Sequence, residues 1–121
     1  MGTSVLAQND FFKTQAKSVA LVAATEKLVI GPLDIGRHNV KTFTVKNAGS
    51  NPLTAAKIQA QSDNPDAPDA DWEDVDTTTF ASLAAAGVKS VNIADDARQY
   101  WRVKLTSTLG TTVHVFATAH A

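Results

Sequence analysis

Seven carboxylates crowd the segment from Ser62 to Asp76, SDNPDAPDADWEDVD, and no base stands among them. Three chemistries use such a cluster. Calcium takes about six to eight oxygens, mostly from carboxylates. An EF-hand sets them as D-x-D-x-D-G with a distant Glu, and this segment has neither that order nor the glycine of the sharp turn. Glycoside hydrolysis needs two carboxylates fixed across a cleft, and a Pro/Asp-rich loop provides no wall for one. A third use is an acidic contact surface meeting a basic patch on a neighbouring subunit. The plainest reading is a solvated loop between two strands, stiffened by Pro65 and Pro68, and no metal site is assigned to it.

The other reactive side chains are sparse. The chain has no cysteine, which removes disulfides, thiolate zinc sites, iron–sulfur clusters and a thiol nucleophile. Its histidines are His38, His114 and His120, and a multi-histidine metal centre needs nearly all of them. The motifs G-x-S-x-G, H-E-x-x-H, G-x-x-x-x-G-K-[ST] and G-x-G-x-x-G are absent. Arg98, Arg102 and Lys104 form a short basic stripe, without the broad basic patch and interleaved aromatics of a nucleic-acid surface. These residues predict a non-enzymatic protein with no cofactor and no nucleic-acid partner.

The aromatics are better candidates for contact. Trp101 alternates with Val103 and Leu105 and belongs to a core. Trp72 sits in the acidic loop or at the start of the next strand. It anchors that loop or, with Tyr100, forms a stacking platform for a sugar ring. Phe116 shares a face with His114 and Thr118, opposite Val113 and Val115. One face of a sandwich strand meets solvent, so Phe116 and His114 are candidates for a subunit contact. Phe11 and Phe12 lie in an unpatterned N-terminal stretch, and two adjacent phenylalanines there are predicted to dock on their own domain or on a neighbour.

The elements that must position these residues are strands. The chain has 121 residues, 44% hydrophobic and 19% charged, with a net charge of −1, which is the profile of one globular domain without a strong overall field. Seven of the twelve acids fall in the loop, so the remaining five face eleven bases and the charge is locally polarised. The longest apolar run, Val19 to Ala24, falls far short of the ~20 residues of a membrane span. It is also shorter than a signal-peptide core and closes on Thr25, Glu26 and Lys27. It reads as a buried strand, and synthesis in the cytoplasm with no membrane partner is expected.

From residue 18 onward the hydrophobic period is close to two. Alternation or short apolar runs mark strands at 19–23, 28–30, 40–45, 53–61, 88–93, 100–106 and 111–119. Gly31-Pro32 is predicted to stop the second. Asn47 to Pro52 is a turn cluster. The last two runs, joined by Thr108-Leu109-Gly110, read as a β-hairpin. Phe80 to Ala86 is Ala-rich, but it is short and ends at Gly87, so a single turn or loop fits as well as a helix. The expectation is an all-β antiparallel sandwich of seven or eight strands, jelly-roll or immunoglobulin-like, over residues 18–121, preceded by an arm over residues 1–17.

The C-terminal half, DWEDVDTTTFASLAAAGVKSVNIADDARQYWRVKLTSTLGTTVHVFATA, has a Trp after an acidic loop, the strand RQYWRVKLTST and a final Gly-hinged strand. Over roughly residues 40 to 120 the chain resembles the small β-sandwich structural proteins of tailed-phage virions, the capsid decoration (cement) proteins and related head or tail accessory proteins. The resemblance implies a virion protein made in the host cytoplasm and used in many copies. Such proteins typically form trimers on the capsid exterior and clamp neighbouring subunits. The strand RQYWRVK also looks like the closing strands of discoidin-like carbohydrate-binding sandwiches. A phage tail or fibre adaptor is a third reading.

Overall fold

A computed structural model describes residues 11–121. The predicted two-residue rhythm becomes two antiparallel sheets packed face to face. Nine strands occur among the described residues: β1 (Phe12–Lys13), β2 (Lys17–Leu21), β3 (Lys27–Asp34), β4 (Val40–Asn47), β5 (Ala55–Gln61), β6 (Glu73–Asp76), β7 (Val88–Ala94), β8 (Tyr100–Thr106) and β9 (Thr111–His120). One sheet runs β1-β9-β4-β7, with β2 also paired to β9. The other runs β3-β8-β5-β6. The order β2-β9-β4-β7 facing β3-β8-β5-β6 is that of a jelly roll, which resolves the topology the sequence left open.

Apart from β1–β2 and β5–β6, every connection crosses from one sheet to the other. The predicted hairpin of the last two strands is therefore corrected, because β8 and β9 lie in different sheets and do not pair. Alternating apolar residues on consecutive strands fit a hairpin and a crossing equally well, since both turn one face to the same core. The crossing is pinned by the buried Ser107, whose hydroxyl donates to Pro52 O at 2.8 Å. Gly110 then turns the chain with φ 82°.

The core lies between the sheets. Phe43 and Val45 of β4 and Val113, Val115 and Ala117 of β9 meet Ile58 of β5 and Trp101, Val103 and Leu105 of β8. Phe43 and Trp101 stack across the gap, with ring centroids 6.2 Å apart. β-Branched and aromatic residues favour such pleated, half-buried surfaces. Phe80 and Leu83 plug one end from a loop of turns, so the Ala-rich stretch is not a helix, and Ala86 there has φ 65°. Asn47, fully buried, organises the neighbouring turn. Its amide donates to Asn51 O and Leu83 O, and its carbonyl oxygen accepts from the Thr111 hydroxyl.

Other boundaries also differ from the sequence reading. The run at Val19 to Ala24 is not one buried strand: β2 ends at Leu21 and Val22 is 67% exposed. Strand β3 does not stop at Gly31-Pro32 but continues to Asp34 with register shifts. Gly31 lies at φ 91°, and a Cβ there would collide with Trp101 O, so glycine lets the irregular strand hug β8.

Candidate functional site

The acidic loop and the basic stripe are two halves of one structure. Strand β8 alternates, so Trp101, Val103 and Leu105 enter the core while Arg102 and Lys104 stand on the outer face of their sheet. The segment 62–72, between β5 and β6, folds back over that face. Asp69, in a single 3-10 turn, accepts from Arg102 and from Lys104, each at 3.0 Å through the same carboxylate oxygen. Hydrogen bonds from Lys104 and Arg102 hold the Asp69 carboxyl below the usual carboxylate range. Arg102 also donates from Nε to Gln59 Oε1 at 2.7 Å, and Gln59 donates to Asp74 at 2.8 Å. The acidic surface thus meets its basic patch within one chain.

Trp72 completes this clasp, immediately before β6. Its ring is 5% exposed, the Arg102 guanidinium lies 4.2 Å from its centroid, and its N–H donates to Ala67 O at 3.2 Å. A sugar stacks on an open ring face, and this ring is closed by the protein itself. Of the two roles open to Trp72 in the sequence, the geometry is that of the loop anchor, and the alternative of a stacking platform is corrected. Tyr100 is half-buried on the same outer face, paired across the sheet with Asp34 and Gln61. The structure does not bring Trp72 and Tyr100 together into one platform.

The outer face of the other sheet carries no such cover from the described residues. Strand β9 presents Thr112, His114, Phe116 and Thr118 there, and β4 presents Thr42, Thr44 and Lys46 beside them. Phe116 pairs with Thr44 and is half-buried; His114 pairs with Lys46 and Ser18 and is exposed. Short side-chain bonds link β4 to β7 across it, Thr42 to Asn92 at 2.7 Å and Thr44 with Ser90 at 2.8 Å. Phe116 and His114, predicted as contact residues, are thus adjacent outward positions on one strand in the middle of a hydroxyl-rich face.

Phe12 and Phe11 separate. Phe12, in β1, pairs with Ala119, packs against the core and tilts against the His38 ring at 6.3 Å, while Phe11 is 53% exposed. Residues 14–16 interrupt the edge, and Thr14 bridges it by bonding Ala117 through both its amide and its hydroxyl. The earlier part of the expected arm, residues 1–10, lies outside the described residues.

Sequence reasoning missed a polar knot at the loop end. Lys41 of β4 is fully buried, and its ammonium donates to His38 O and Asp96 O, each at 2.6 Å, 5.2 Å from the Trp101 centroid. Burial pushes its pKa down, against the pull of Asp96. Asp96 is gripped by Arg98 through two bonds of 3.0 and 2.6 Å, which hold its carboxyl below the ordinary range. The signal was its phase, because Lys41 alternates together with Phe43 and Val45. An amine without accessible surface meets no substrate, so Lys41 pins the loops 35–39 and 95–99 together. Those loops line an open depression of about 500 Å³ with Arg37, Asn39 and Asp95 on its rim. Among the described residues, no three His, Asp or Glu side chains converge as a metal site.

No protein-family profile and no curated protein matches the chain. Solved structures match its fold. A Bacillus endospore appendage protein, from a family of disulfide-linked pili, is 15% identical with a TM-score of 0.55, covering 92% of this chain and 88% of that one. PirA is 9% identical with a TM-score of 0.57, covering 88% and 93%. The mitogen of Yersinia pseudotuberculosis is 12% identical with a TM-score of 0.56, covering 88% and 85%. At these identities the likeness is one of fold: a small β-sandwich.

Proposed function

We propose that this chain is a non-enzymatic structural subunit used in many copies, a capsid decoration (cement) protein of a virion that acts through protein–protein contacts. One observation carries the reading. The two outer faces differ: one is clasped under the chain's own acidic loop, and the other is a hydroxyl-rich surface centred on Phe116 and His114. A half-buried aromatic among small polar residues, with lysines at the margins, fits a contact core inside a polar rim. The resemblance of residues 40 to 120 to phage β-sandwich proteins supplies the virion setting, on the capsid exterior, with a trimer as the favoured assembly. The Bacillus appendage subunits are described as disulfide-linked, whereas this chain has no cysteine, so its copies would join without disulfides.

The test is the mass of the purified full chain by light scattering, from low micromolar to millimolar concentration. A discrete oligomer that Phe116→Ser reduces to monomer is the expected result. A monomer at every concentration overturns the reading. The rim of Arg37, Asn39 and Asp95 favours a second reading, a carbohydrate-binding module with its site at the loop end. A glycan-array signal abolished by Arg37→Ala, from a monomeric protein, would move the function there.

A further inference from the structure

The charges of the sandwich are sorted by side. Strands β1, β2, β4, β7 and β9 contain no Asp or Glu, and all but β9 carry a lysine. Lys13 and Lys46 stand on the bare outer face, opposite Thr118 and His114; Lys17 and Lys89, exposed on the edge strands, pair with the core-facing Val115 and Val45 and do not share that face. On the far side of the molecule the clasp uses Asp69, while Asp63, Asp66 and Asp71 are exposed and make no ion pair among the described residues. The clasp closes Arg102 and Lys104 against Asp69, so that side meets solvent largely as carboxylate.

We propose that the lysine-bearing face receives the acidic loop of a second copy: Lys13 and Lys46, flanking Phe116, meet Asp63, Asp66 and Asp71 of the neighbour. The inference rests on the reading of the chain as a multi-copy subunit and gives that reading its contact. Charge complementarity between two sides of one molecule selects the occupant. Two bare faces set together would oppose lysine to lysine, which disfavours a two-fold pairing through that face. The contact is therefore heterologous, head to tail, and such contacts close into rings or run on as filaments. A closed ring of three is one solution. The loop needs no rearrangement to present its acids, because Trp72 and Asp69 already fix it to β8.

The test uses two charge-reversed full-length variants in sedimentation velocity. One carries Lys13→Glu and Lys46→Glu; the other carries Asp63→Lys, Asp66→Lys and Asp71→Lys. The wild type is expected to associate, and to do so more weakly as salt screens the contact. Each variant alone should associate at least about tenfold more weakly. Their equimolar mixture should regain association as mixed pairs or even-numbered assemblies in which the two variants alternate, whatever ring the wild type closes, and this recovery also establishes that both variants are folded. If both variants associate as tightly as the wild type, or if the mixture stays apart while the wild type assembles, this pairing is wrong and the multi-copy reading stands on another surface. A wild type that stays monomeric at every concentration and salt overturns both, and leaves the lysine face to an acidic partner of another kind.

Discussion

The guanidinium of Arg102 lies 4.2 Å from the centre of the Trp72 ring, joining a central strand to a loop about thirty residues before it. The cation covers the indole, and the indole shields the cation, so Arg102 is buried although it stands on the outer face of its sheet. Desolvation strengthens a cation–π contact, and Asp69 and Gln59 occupy the rest of the fork. Trp72→Ala removes this anchor. We expect a loss of about 3 kcal/mol, as for other buried Trp truncations. Limited proteolysis should then cut between residues 62 and 71. An unchanged cleavage pattern would show that Asp69 alone holds the loop.

The same geometry bears on calcium. The acids of the loop are either committed to partners, as Asp69 and Asp74 are, or spread along the exposed chain. A calcium ion needs its oxygens converging at about 2.3–2.6 Å. Neither added calcium nor EDTA should move the melting temperature. A rise with calcium, lost on Asp66→Asn, would reverse this.

Acid should weaken the fold through Asp96. Its carboxyl is held below the ordinary value by the two bonds from Arg98, against the opposing effect of burial. A depressed carboxylate contributes stability that is complete above the unfolded value of about 3.9 and is lost as pH falls through the folded one. Asp96→Asn removes that contribution. We expect a cost near neutral pH of about 1 kcal/mol, trimmed from the charged-bond range by partial exposure. The gap between variant and wild type should begin to narrow as pH falls below about 4 and close only once it has passed the lower folded value. Denaturant melts at neutral and acid pH measure it, and a gap independent of pH would exclude the mechanism.

Much of this fold is legible in the sequence, because alternation reports which side chains face a core. Val113, Val115 and Ala117 enter it while His114 and Phe116 face out, as their spacing implies. Alternation is silent about which sheet a strand joins, so β8 and β9 read as a hairpin although they oppose each other across the core. Short strands leave almost no period: β1 and β6 span two and four residues and pass unnoticed. The clasp is hidden for a different reason. Arg102 and Asp69 are far apart in the chain, and only the return of the loop brings them to 3.0 Å. A charge run and a basic stripe of opposite sign on outward positions were each visible, and their pairing needed three dimensions.

Lys41 gives the sharpest pH signature. Its ammonium has no exposure, and burial lowers its pKa although the nearby Asp96 opposes that. The unfolded chain therefore takes up this proton first as pH falls from about 10.4, so protonation there favours unfolding. The sign follows directly: Lys41 contributes stability that grows as pH rises from its folded value to the unfolded one. Lys41→Met keeps the bulk and removes the titration, at the expense of the donors to His38 O and Asp96 O. Those carbonyls cost about 1 kcal/mol each when left unpaired, offset by relief of the buried charge, so the net change at neutral pH should be small. The stability difference should then move in favour of the wild type as pH rises through the alkaline range below about 10.4. Chemical melts of both proteins across that range read the slope, and a difference that stays flat would mean that Lys41 titrates as it does in water.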